Sequence, residues 1–286
     1  MSILLRGGDV VSGRGAERLD VLLEGEKIAA VGADLSAGEG VDCTGKLLFP
    51  GFIDGHTHFD LEVGGTITAD DFATGSRAAL RGGTTTVIDF AAPDKGEPLA
   101  AGLARWREKA VGKCACDYGF HMTIDDWNEG ICREIGEMAE EGITSFKMYM
   151  TYPAMMIGEG EMYRALLRLK EAGGVAGVHC ENDGVIRELV RAARAAGRMS
   201  PGSHPRTRPA PLEAEAVGHL LRLAQLADAP VIIVHLSCRE SMEEVRAARR
   251  RGQRVYVETC PHYLLLEDSV YDQREFLEAA KYVCAP

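Results

Sequence analysis

Along most of the chain, short apolar runs rich in β-branched and aromatic residues alternate with longer stretches whose apolar positions recur every three to four residues. The short runs predict strands at 52–58, 84–90, 116–122, 143–150, 174–180, 230–236 and 255–260. The longer stretches predict helices at 70–81, 97–111, 127–141, 159–173, 183–197, 212–228 and 239–251. Helix starts carry capping side chains at Asp70 or Asp71, Asp126, and Asn182 or Asp183. Gly82, Gly142, Gly173, Gly197 and Gly252 follow the last turns, where a left-handed residue commonly ends a helix. Strictly alternating strands and helices call for parallel strands with crossover helices. The expected fold class is therefore α/β, as a doubly wound sheet or a (β/α)8 TIM-like barrel. Seven strand–helix units are present where a closed barrel needs eight.

The first 50 residues differ. "ILLRGGDVVSG", "LDVLLEGEKIAAVG" and "VDCTGKLLFPG" read as short strands punctuated by glycine, with a turn at EGEK. We expect two domains: 1–50 as the N-terminal part of a small β-sandwich, and 51–286 as a barrel incomplete at its C-terminus. The Pro-rich piece "MSPGSHPRTRPAP" (199–211) is the one long irregular insertion.

Composition adds limits. The 286 residues are 46% hydrophobic and 26% charged, the balance of an ordinary globular protein, and no run of 18 apolar residues could span a bilayer. A net charge of −11 disfavours nucleic acid and anionic membranes as partners. The basic run Arg246–Arg254 is expected to be the solvated end of a helix, where the macrodipole favours cations. The start shows no secretory signal and the eight cysteines form no zinc-site pattern, Cys114 and Cys116 making only a C-x-C, so the cytoplasm is the expected location.

The chemistry collects at strand ends. His56 and His58 in "GFIDGHTHFD" stand two apart, so in a strand both rings face one side. Lys147, His179 and His235 also end predicted strands, and in a barrel such ends converge on one mouth. Neutral histidines suit zinc and neighbouring divalent ions. Two metals need a bridging anion. A buried, neutral Lys147 that has reacted with carbon dioxide would supply one as a carbamate.

"GFIDGHTHFDLEVGGTITADDFATGSRAALRGGTTTVIDFA", "SFKMYMTYP", "VHCEND", "VHLSC" and "ETCPHYLLL", in this order, resemble the hydantoinase and dihydropyrimidinase branch of the amidohydrolase superfamily, over the whole chain. "GGTITADDF" is most similar to bacterial hydantoinases. The resemblance implies a binuclear centre in a (β/α)8 barrel: His56 and His58 on one metal, His179 and His235 on the other, and N6-carboxylated Lys147 between them. Zinc is expected ahead of manganese or cobalt. The implied reaction is hydrolytic opening of a cyclic amide or ureide ring by a metal-bridging hydroxide, with Tyr152 binding the substrate carbonyl and its developing oxyanion. By the same likeness Leu61, Val63, Tyr149 and Met156 would line the pocket for the ring's substituent. Ala285 takes the place of a substrate-binding serine, a tolerable change if the contact is through backbone atoms. Phe59 and Asp60 after the His-x-His pair make a poor site for a substrate carboxylate, favouring a neutral ring such as a 5-substituted hydantoin or dihydropyrimidine over a dihydroorotate-type substrate; an allantoinase-type ring is an alternative. Asp89, His121, Cys180, His204 and His262 are read as core, loop or supporting residues. The resemblance also implies a homo-oligomer, a tetramer or dimer, and a further aspartate ligand that would lie beyond Pro286, so that a chain ending there is expected to be weakly active or inactive. The non-enzyme alternative is a scaffold relative that has lost its ligands, and all five ligand positions are filled here.

Overall fold

In a computed structural model describing residues 2–63 and 65–286, the N-terminal strands are β1 (Ser2–Ser12), β2 (Gly15–Glu24), β3 (Lys27–Gly32), β4 (Glu39–Asp42) and β5 (Leu47–Leu48). β1 and β2 form an antiparallel hairpin, β3 pairs with β2, and β4 and β5 run parallel to β1. The turn expected at EGEK joins β2 to β3, with Gly25 at φ +62°. These strands make one layer. Leu4 and Val21 are buried, while Ile28, Val31 and Val41 stay exposed.

The following strands are β6 (Phe52–Thr57), the small antiparallel pair β7 (Glu62–Val63) and β8 (Thr66–Ile67), β9 (Thr84–Ala91), β10 (Asp117–Thr123), β11 (Ser145–Tyr149), β12 (Val175–His179), β13 (Val231–Ile233) and β14 (Val255–Val257). Between them lie α1 (Phe72–Arg81), α2 (Leu99–Ala110), α3 (Glu129–Glu140), α4 (Glu159–Glu171), α5 (Asp183–Ala195), α6 (His204–Thr207), α7 (Ala210–Ala227) and α8 (Arg239–Arg250), and after β14 comes α9 (Phe276–Ala280).

Contacts divide the chain into two compact units. The first comprises residues 1–57, 70–88 and 114–118. It holds the N-terminal sheet, β6 beside the first part of β9, and α1. Asp71 caps α1 by accepting from the Thr74 N–H, and the Thr74 hydroxyl accepts from the Asp71 N–H, closing a capping box.

The second unit comprises residues 58–69, 89–113 and 119–286. Its strands lie side by side in chain order from β9 to β14, with parallel pairing from β10 onward. Sequential neighbours joined by crossover helices are what the alternating pattern required. In β11, Phe146 and Met148 face one side and Lys147 and Tyr149 the other. The register sets Lys147 opposite Gly177 and Tyr149 opposite His179. No helix among the described residues is long and apolar enough to cross a membrane.

Four local readings are corrected. α3 is capped by Asn128, whose side chain accepts from the Ile131 N–H; Asp126 instead accepts from the adjoining Trp127 N–H. After α1 the left-handed residue is Gly83, at φ +88°, and Gly82 stays right-handed. β13 ends at Ile233, so His235 lies past the strand in a turn, at φ +37°. The 199–211 insertion is not irregular throughout: it forms a 3-10 turn at Pro201–Ser203 and then α6.

Candidate metal centre

Lys147 is an amine buried in strand β11. Its side chain is fully buried and, among the described residues, its Nζ has no hydrogen-bond partner. The ammonium position lies 5.0 Å from the ring centroids of both Phe90 and Tyr149. Burial drives its pKa down from 10.5 to about 7, against the opposing charge of Glu258. The faces of Phe90 and Tyr149 offer the amine no conventional hydrogen-bond acceptor. A buried orphan of this kind marks a place for a further group.

Around it stand aromatic and imidazole rings. His179 is 3% exposed and His235 8%, and their ring centroids are 4.6 Å apart, edge to face. Tyr149 stacks at 5.9 Å from His179, and the Tyr152 ring meets His179 edge-on at 5.2 Å. Burial lowers the pKa of His179 despite its bond to Glu181, which favours the neutral ring that a metal requires. Tyr152 sits at φ +66°, a left-handed conformation costly for a residue with a Cβ. Its carbonyl accepts from the N–H groups of Met155 and Met156, and this turn holds the residue in place. Burial raises the Tyr152 phenol to about 12, so at neutral pH it keeps its proton and can donate it in a hydrogen bond.

His58 packs 4.9 Å from Phe90, which in turn lies 4.6 Å from His121. His56 belongs to the first unit, is half-buried, and donates its backbone N–H to the Asp54 carboxylate. Among the described residues no three His, Cys, Asp or Glu side chains are already gathered as a ligand cluster. Within the second unit, His179, which burial holds toward the neutral ring, and His235, whose ring lies 4.6 Å from it, are donors of the kind that suit a divalent cation. Lys147, as the buried amine, is the position that a carbamate would complete.

Pocket positions named from sequence are dispersed. Leu61 lines a cavity of about 520 Å³ with Trp106, Met155 and Asp125, whose carboxyl burial raises to about 6. Met156 lines a different cavity of about 250 Å³, beside Glu181. Val63, Tyr149 and Ala285 line neither. Val63 is exposed in β7 and Tyr149 is buried against His179.

Asp89, His121 and His204 each hold hydrogen bonds within the fold. Asp89 accepts from the N–H groups of Phe59 and Phe90 and from Trp106 Nε1. His121 bonds Ser145, and His204 bonds the Cys284 carbonyl. Three residues escaped the sequence reading. Glu258 faces Lys147 and His121, with burial raising its pKa. Glu181 is 2% exposed and bonds His179, and Arg208 reaches Glu181 from the 199–211 insertion. Glu181 stands in the quoted "VHCEND", two residues after the histidine, and that spacing was the available signal.

An amidohydrolase family model matches residues 47–280. The chain is 42% identical to a D-hydantoinase of Geobacillus stearothermophilus, covering 100% of this chain and 61% of the relative. It is 43% identical to a D-hydantoinase of Streptomyces coelicolor, covering 99% and 62%. The solved dihydropyrimidinase of Brevibacillus agri superposes with a TM-score of 0.96 at 43% identity, over 100% of this chain and 63% of that one. The chain thus spans about three-fifths of the length of the relatives it matches.

Proposed function

Since the chain belongs to the amidohydrolase family, we propose that the protein hydrolyses a cyclic amide or ureide ring, a 5-substituted hydantoin to an N-carbamoyl amino acid or a dihydropyrimidine to its open form. The observation that carries this reading is the buried Nζ of Lys147, without a hydrogen-bond partner among the described residues, near His179, whose ring packs against His235.

The neutral amine of Lys147 adds to carbon dioxide. Its lone pair forms the N–C bond, one C=O electron pair moves to oxygen, and the nitrogen loses a proton to solvent. The product is a bidentate anion at the position of the buried amine. That carbamate, His179 and His235 would hold one divalent ion, and His56, His58 and the same carbamate the other. Zinc is expected ahead of manganese or cobalt. When bound, such ions supply Lewis acidity and lower the pKa of water from about 15.7 to about 7. Tyr152 donates its phenol proton to the ring carbonyl and holds the substrate as that oxygen gains charge. In the net reaction water adds across the amide: a C–O bond forms, the ring C–N bond breaks, and the nitrogen leaves protonated. By the family likeness, Leu61, Val63, Tyr149 and Met156 are assigned to the ring's substituent and the backbone of Ala285 to the ring itself.

The rest of the reading extends the same proposal: a completed (β/α)8 barrel of which seven units are present here, domains at 1–50 and 51–286 with the first part of a β-sandwich, a homo-oligomer, and a cytoplasmic location. Retention of His56, His58, Lys147, His179 and His235 favours an enzyme over a scaffold. The test is Lys147→Ala in the whole protein. Metal analysis is expected to show two divalent ions per chain in the wild type and their loss in the variant, with hydantoin opening reduced at least about 10³-fold. A variant that keeps both ions and its turnover refutes the assignment.

A further inference from the structure

Glu181 is a buried carboxylate that the reaction above does not use. One oxygen, Oε2, lies 2.6 Å from His179 Nε2, and the other, Oε1, accepts from Arg208 at 3.4 Å. Glu181 is 2% exposed, and the Arg208 side chain is 16% exposed. The Arg208 guanidinium in turn lies 5.9 Å from the Tyr152 ring centroid. A carboxylate excluded from water to this degree costs several kcal/mol unless both oxygens are engaged, and here both are. The connections run from a candidate metal ligand, through one acidic side chain, to the insertion that covers the candidate carbonyl-binding tyrosine.

We infer that Glu181 is a positioning residue that fixes the tautomer of His179, so that Nε2 carries the hydrogen and Nδ1 presents its lone pair to the metal, while the same carboxylate anchors Arg208 against Tyr152. An ionised carboxylate is acceptor-only. A neutral imidazole bonded to it at Nε2 must place its single hydrogen there, and the lone pair is left on Nδ1. Partners of this kind fix ring orientation, raise ligand basicity, and typically change metal affinity 10- to 100-fold when removed. The metal half of this inference rests on the proposed function; the tautomer half rests on the hydrogen bond alone.

The experiment separates the two. In the metal-free protein, 15N shifts of the histidine rings are read near neutral pH, with His179 assigned by its loss in His179→Asn. The wild type is expected to show His179 as the Nε2–H tautomer. Glu181→Gln keeps the shape of the side chain but can either accept or donate, so a tautomer mixture is expected; a packing role alone would be rescued by glutamine. Glu181→Ala is expected to shift further. Arg208→Met breaks the arginine contact and leaves Glu181 on His179, so the tautomer is expected to stay. In chelator competition, both Glu181 variants should bind zinc about 10- to 100-fold more weakly. An unchanged tautomer in Glu181→Gln, or an equal shift in Arg208→Met, overturns the inference whatever the protein's activity. Loss of metal binding in Lys147→Ala with unchanged zinc affinity in the Glu181 variants overturns its metal half and leaves the proposed function standing. A tautomer shift in a protein that opens no cyclic amide does the reverse.

Discussion

The burial of Lys147 has a consequence that does not require metal. The amine titrates at 10.5 in the unfolded chain and at about 7 in the fold. Below about pH 7 both states carry the ammonium and the fold bears the full desolvation penalty. Between about 7 and 10.5 the folded chain binds fewer protons than the unfolded, so stability rises with pH across that window and the penalty is gone above it. In metal-free protein depleted of carbon dioxide, Lys147→Met should therefore be more stable than the wild type, by on the order of 3 to 5 kcal/mol near pH 6. Denaturant titrations at about pH 6 and about pH 9.5 should show that gap shrinking by more than half. A gap that does not move with pH would mean that the amine is not held unpaired. The strain at Tyr152 and His235, both at positive φ, belongs with this observation: three residues of the candidate centre are held in states that ordinary packing would avoid.

Among the elements, α2 shows where local propensity and packing disagree. Gly102 lies inside this helix, where alanine would be favoured by about 1 kcal/mol. A Cβ there would come within 2.7 Å of the Pro93 backbone nitrogen and 2.9 Å of its Cα. Backbone cannot rotate away as a side chain can, so Gly102→Ala is expected to destabilise by about 1 to 3 kcal/mol. A higher melting temperature in calorimetry would show that the helix can ride outward from the Pro93 loop. Gly177 has a comparable role within the sheet. It lies opposite Lys147 and between β11 and β13, and a Cβ would approach Val234 Cγ1 to 2.9 Å. The elements themselves were legible because period and caps are local signals: α4, α5 and α8 begin where apolar recurrence begins. The errors are local too. Asp126 and Asn128 can both accept a hydrogen bond from a first-turn amide, and only the backbone conformation makes Asn128 the cap of α3.

For the molecule as a whole, metal should act as part of the fold. A ligand that binds only the native state stabilises by about 2.7 kcal/mol when present at 100 times its dissociation constant, which for a chain of this size corresponds to roughly 5 to 10 °C in melting temperature. Removing divalent ions with a chelator is expected to lower the melting temperature by that order, zinc to restore it, and Lys147→Ala to abolish the increment. A wild-type protein indifferent to chelation would count against the metal assignment. The sequence alone determined the α/β class, the run of parallel strands, and the placement of Lys147 and His179 in strands. Those features depend on periods of two and 3.6 residues and are written in neighbouring positions. That His235 lies in a turn beyond β13 was decided by the tertiary structure. Nor did the sequence determine which side chains meet. Glu181 finds His179 from the irregular segment that follows β12, Arg208 reaches Glu181 from 27 residues later in the chain, and Glu258 faces Lys147 across more than a hundred. Such encounters follow from strand register and loop conformation, which depend on packing between distant segments, and no local pattern records them.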